Sequence, residues 1–115
     1  MTLEDIHEYC LSKPETEEAM PFDENSIVYK VCGKMFVLAV LDGNFVNLKC
    51  EPDKAIELRE QYLAVRPGYH MNKAQWNTVD LDGSVPPRLI KEWIDDSYRL
   101  VVAKLPKRDR ERLPQ

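Results

Sequence analysis

The sequence predicts an α+β fold, an antiparallel sheet covered on one face by helices in the order α-β-β-β-α-β-α. Three observations carry this. Strand-length apolar or alternating runs crowd between residues 26 and 50, with only tight turn signals between them. Segments with helical apolar spacing lie before and after that group instead of alternating with each strand, which separates α+β from α/β. At 115 residues, with 43% hydrophobic and 31% charged content, the chain suits one domain around one core.

The first helix is expected over Leu3 to Ser12. Thr2 stands as N-cap, Asp5 completes a capping box, and Leu3, Ile6 and Cys10 face inward; Pro14 ends it. Glu15 to Asp23, with Pro21-Phe22, reads as an acidic loop. A three-stranded meander follows. Ser26 to Cys32 alternates, Gly33-Lys34 reverses the chain, and Met35 to Leu41 is apolar on both faces, hence central. Asp42-Gly43 signals a hairpin, and Phe45 to Cys50 alternates again, with Val46, Leu48 and Cys50 opposite Phe45, Asn47 and Lys49. Pro52 opens a second helix that runs to about Leu63. Val65-Arg66-Pro67-Gly68 matches a type II turn with glycine at positive φ. Gln75 to Leu81 reads as a strand closed by Asp82-Gly83. Pro86-Pro87 opens the last helix, to about Leu105, whose stripe is Ile90, Trp93, Ile94, Ser97, Leu100 and Val101. Pro106 stops it. Residues 1–106 form the domain, and 107–115 are expected to be a frayed, charged tail.

Charge and cysteine usage narrow the function classes. Net charge is −4, distributed as −7 over residues 1–29, zero over 30–87 and +3 over 88–115. A generic electrostatic DNA binder is basic overall, so binding by the whole surface is disfavoured. Cys10, Cys32 and Cys50 fit no disulfide framework and no zinc spacing, and read as core residues in a reducing cytoplasm. No apolar run is long enough to span a membrane, and no signal peptide is visible, so no membrane partner is expected.

A set of motifs resembles the MmcQ/YjbR family of small bacterial proteins. The matching stretches are Lys13-Pro14, Pro21-Phe22, Lys30-Val31-Cys32-Gly33-Lys34-Met35-Phe36, Leu48-Lys49, Leu58-Arg59, the string Pro67-Gly68-Tyr69-His70-Met71-Asn72-Lys73, Trp76 with Thr78-Val79, Leu81-Asp82-Gly83, Ile94-Asp95-Asp96-Ser97-Tyr98 and Leu105-Pro106-Lys107. They cover nearly the whole chain, and the string from Pro67 is specific. The resemblance implies a fold similar to that of CyaY, the bacterial frataxin, and DNA binding through a double-wing arrangement of hairpins. The family pattern often has a histidine just before the tryptophan. Here Gln75 stands there, which puts histidine chemistry at that position in doubt.

Two sets of residues are candidates for binding. In the 66–76 loop, Arg66, Tyr69, His70, Asn72, Lys73 and Trp76 combine charge, an amide and stacking faces. The same residues also suit a structural role, Tyr69 and Trp76 plugging the core edge while His70 and Asn72 bond the loop's own backbone. The hairpin lysines Lys30, Lys34 and Lys49 can form a wing or simply a solvated strand face. Elsewhere, the acids of residues 4–24 suit hard cations but equally suit helix starts, and the basic tail is interleaved with Asp109 and Glu111. Cys10 and His7 share a helix face, a spacing more typical of a core cysteine than of a nucleophile with its base. No nucleophile elbow, Walker loop, dinucleotide fingerprint or zincin motif is present, and no cofactor is expected. The expected function is a small non-catalytic binding module, with nucleic acid as the ligand the resemblance implies. The alternatives are a small-molecule or enzymatic pocket at the 66–76 loop, or a protein–protein adaptor.

Overall fold

Thr2 starts the chain's first helix as its spacing requires. The computed structural model describes residues 1–114; Gln115, the last residue of the expected tail, lies outside them. Thr2 Oγ1 accepts the Asp5 N–H at 3.1 Å, and the Asp5 carboxylate accepts the Thr2 N–H at 2.9 Å, closing a capping box on α1 (Leu3–Leu11). The remaining elements are β1 (Thr16–Ala19), β2 (Ser26–Val31), β3 (Lys34–Val40), β4 (Phe45–Lys49), α2 (Pro52–Gln61), β5 (Val65–Pro67), β6 (Trp76–Asp80), α3 (Pro87–Ala103) and α4 (Lys107–Glu111). The strands form one six-stranded sheet in the order β1-β2-β3-β4-β6-β5, antiparallel at every step.

The helices share one face of that sheet, as expected. Ile6 and Cys10 of α1, Ala55 and Leu58 of α2, and Ile90, Trp93 and Ile94 of α3 pack with Tyr29, Val37, Val46 and Val79 in a single core. Two extra strands and one extra helix depart from the expected order, each for a physical reason. The acidic loop contains β1, an edge strand whose Glu17 and Glu18 stay exposed, so no apolar alternation marks it. Charge on an outer strand also discourages pairing with other chains. The expected type II turn is instead β5, a short edge strand on which Pro67 is tolerated. Gly68 does not take positive φ there. It is needed for close approach: its N–H donates to the Trp76 carbonyl at 2.9 Å, and a Cβ would lie 2.8 Å from that same oxygen.

The β2–β3 reversal also shifts by one residue. Cys32, expected at the strand end, lies in the turn with φ 47°, followed by Gly33 at φ 81°. Two positive-φ residues joining Val31 and Lys34 make a type I′ hairpin. The tail is corrected most. α4 turns the chain back so that Leu113 is buried in the main core, while Arg112 meets Glu15 at 2.8 Å. Residues 107–113 therefore fold back on the core instead of fraying.

One irregularity joins the helix layer to the sheet. Lys30 pairs with Met35 and Tyr29 with Val37, so Phe36 is an extra residue in β3. This bulge breaks the alternation, and Phe36 and Val37, consecutive in sequence, both lie in the helix-side core. The β3–β4 ladder ends at Val37 and Leu48. Past that point Ser97 of α3, fully buried, takes the place of a strand: its Oγ accepts the Lys49 N–H at 2.9 Å and donates to the Phe36 carbonyl at 2.6 Å.

Ser97→Ala leaves a buried N–H and a buried C=O unmet. It is expected to cost about 3 kcal/mol and to lower Tm by roughly 10 °C in a thermal melt. Leu113→Ala is expected to cost about 2 kcal/mol in urea unfolding; a cost near zero is the result that residues of a frayed tail would give.

Candidate functional site

Among the described residues no helix covers the second face of the sheet. By register, Val28, Leu38, Asn47 and Thr78 form one row across it, and Ser26, Val40, Phe45 and Asp80 the next. Val28, Leu38, Asn47 and Thr78 are nonetheless buried. Part of their cover is the loop that carries Tyr69. Asn47 Nδ2 donates to the Tyr69 carbonyl at 3.1 Å, the Tyr69 N–H donates to Thr78 Oγ1 at 2.8 Å, and the Thr78 hydroxyl donates to Asn47 Oδ1. Two side chains from adjacent strands thus satisfy both main-chain groups of one loop residue. Buried polar groups need such partners, and here that need fixes the loop to the sheet.

The loop's own residues divide between scaffold and surface. Asn72 Oδ1 accepts the Ala74 N–H at 3.0 Å, and Lys73 Nζ donates to the Gly68 carbonyl at 2.8 Å. Trp76 is buried on β6. Arg66 is held by Asp80 through two bonds of 2.9 and 2.8 Å, a fork that also raises its pKa, and it lies over the Phe45 ring. Tyr69 and His70 present themselves outward. The Tyr69 ring meets Phe45 edge-on, and the His70 ring lies 4.0 Å from it, with His70 in the left-handed region at φ 58°.

The hairpin lysines lie on three strands, Lys30 on β2, Lys34 on β3 and Lys49 on β4 opposite Trp76. Lys30 stands directly across from Glu17 in the β1–β2 ladder. Lys34 is exposed beside the type I′ turn. Lys49 is half-buried, and burial, with Lys104 nearby, holds its pKa below the usual lysine range. In α1, His7 Nδ1 lies 2.9 Å from the Tyr29 hydroxyl. Cys10 is sealed, and burial pushes its thiol up to about 12, the opposite of an activated thiolate. Among the described residues no group of three or more His, Cys, Asp or Glu is placed to hold a metal.

What the bare face does contain is a cleft of about 470 Å³. Tyr69, His70 and Met71 form one wall, Phe22, Asp23 and Asn25 the other, and Met35, Leu38, Val40 and Asn47 lie beneath. Of these, the sequence reading singled out only Tyr69 and His70 for binding. Asn47 had a readable signal, an amide in mid-strand where such residues are depleted. Phe22 and Met71 had none, because only the folded sheet brings residues so far apart in sequence together.

The comparisons place the chain among known proteins. A family model described as YjbR matches residues 11–100. The chain belongs to the YjbR family. Among its YjbR relatives is the uncharacterised protein YjbR of Escherichia coli strain K12, 38% identical over 117 aligned positions that take in 100% of this chain and 99% of that protein. The uncharacterised protein YbdF of Escherichia coli O157:H7 is 37% identical over 119 positions, 98% of each chain. The crystal structure of Deinococcus radiodurans DR2400, a DUF419-family domain, matches with a TM-score of 0.92 at 36% identity, covering 98% of this chain and 89% of that one.

In this YjbR-family chain Thr78→Val removes one hydroxyl and strands both Asn47 Oδ1 and the Tyr69 N–H. A loss of about 2 kcal/mol is expected, with amide exchange at Tyr69 and His70 accelerated more than in α3 by NMR. Equal acceleration in both places would mean that the pair does not hold the loop.

Proposed function

We propose that this protein is a small non-catalytic binding module, and that its ligand site is the cleft on the helix-free sheet face. The observation that carries the reading is the cleft itself. It is concave, mostly apolar, walled by two loops, and one wall is fixed by the buried Asn47–Thr78 pair. Pockets of this size with apolar floors and a few polar groups at the margin suit small organic molecules. Methionines such as Met35 and Met71 adapt to ligands of varied shape.

The nucleic-acid reading implied by the family resemblance draws less support. A phosphate-tracking surface needs free cations, yet Arg66 is engaged by Asp80 and Lys73 by the Gly68 carbonyl. Of the candidate cations, Lys30, Lys34 and Lys49 are left to it, one on each strand of the meander. The likeness to CyaY and frataxins is proposed as one of fold alone, supported by helices packed on one face of an antiparallel sheet. A cytoplasmic location is likewise proposed. Three free thiols suit a reducing compartment, and among the described residues no helix is long and apolar enough to cross a membrane.

A thermal-shift screen of small organic molecules tests the cleft. A ligand at one hundred times its Kd should stabilise the protein by about 2.7 kcal/mol. Val40→Trp, which fills the cleft from its floor, should abolish the shift. Stabilisation that survives Val40→Trp would place the site elsewhere. Duplex DNA bound at low salt, with affinity falling steeply as salt rises, would favour the nucleic-acid reading instead.

A further inference from the structure

The charge and ring chemistry of the cleft go further than its shape. Phe22 is 69% exposed and Tyr69 is 50% exposed, so aromatic surface is presented by both walls. Among the described residues that line the cleft Asp23 is the charged one, and no lysine or arginine is among them. Asn25 extends the negative margin. Its backbone N–H donates to Asp23 Oδ1 at 2.8 Å and its side-chain Nδ2 donates to Asp42 Oδ1 at 2.6 Å, so one residue joins a carboxylate that lines the cleft to a second just behind it. Asn25 Oδ1 accepts the Asp42 N–H at 2.8 Å, which fixes the arrangement from both sides. Lys30, beside Met35 in the register, has Glu17 directly across the ladder.

We infer that the cleft selects an amphipathic organic cation, an apolar body carrying an amine or ammonium group, with the cation at the Asp23–Asn25–Asp42 rim. This rests on the cleft being the ligand site and adds the sign of the ligand's charge. The apolar body lies over Leu38, Val40 and the two methionines. The cation gains from the exposed aromatic faces and from the two carboxylates. An anionic ligand of the same shape meets the carboxylates with no lysine or arginine lining the cleft to offset them, and is rejected by that repulsion. This is the opposite charge preference from the one phosphate binding requires.

The test compares three probes of one shape: 2-naphthylmethylammonium, 2-naphthylmethanol and 2-naphthoate, titrated by NMR against the intact protein at neutral pH and low salt. The ammonium should bind roughly tenfold more tightly than the alcohol, with the naphthoate weakest. Asp23→Asn, at an exposed position that leaves the fold intact, should shrink the ammonium's advantage severalfold and leave the alcohol unchanged. Phe22→Ala should weaken all three. Naphthoate binding as tightly as the ammonium, or an ammonium preference untouched by both Asp23→Asn and Asp42→Asn, overturns the charge inference while the cleft stands as a site. If none of the three probes binds, or all bind outside the cleft by chemical-shift mapping, the inference fails together with the reading beneath it.

Discussion

A sheet with helices on one side only has a second side whose backbone and apolar side chains must still be kept from water. In this protein that constraint is met by two buried polar residues. Asn47 and Thr78 sit opposite one another on β4 and β6 and take hold of the main chain of Tyr69 from both ends. A purely apolar row would have been easier to bury but offers nothing to a loop's N–H and C=O. The polar pair gives the loop one position over the sheet. Everything on that side follows from it: the outward pose of Tyr69 and His70, the shelter of Leu38 and Val28, and the wall that faces Phe22 across open space.

The helix side depends on a similar economy of hydroxyls. Ser97 lies within an otherwise apolar stripe, where its small side chain lets α3 approach the sheet closely. Its oxygen then serves as both donor and acceptor at the point where β3 bulges away from β4. The two faces are therefore registered against one another through the same strand, since Asn47 and Lys49 are alternate residues of β4.

Much of this was legible in the sequence because it is local. The Thr2–Asp5 capping box, the Pro52 and Pro87 helix starts, the pairing of β2, β3 and β4 and most of the stripe on α3 are set by neighbours within a few residues and formed as read, while the β2–β3 turn sits one residue earlier and Leu100 of the stripe is only partly buried. What escaped was decided by distant partners. Thr16 to Ala19 has no strand pattern of its own and is a strand because β2 offers it a free edge. Leu113 looked like a residue in a charged tail, and the core had room for it. The loop between residues 66 and 76 was recognised as special, but the partners of its cations, Asp80 and the Gly68 carbonyl, were not legible in it. The cleft was invisible for the same reason: its two walls are separated by more than forty positions of chain.

The interior of this domain draws on side chains from Ile6 to Leu113, with Arg112 reaching back to Glu15. During synthesis an N-terminal portion therefore has no complete interior of its own to close upon. Helix α1 and the meander can form early, but their apolar faces wait on α3 and Leu113, which follow them in the chain. Folding to the native state is thus tied to the emergence of α3 and Leu113, and the interval before that is when α1 and the meander are most open to chaperones and to misassembly.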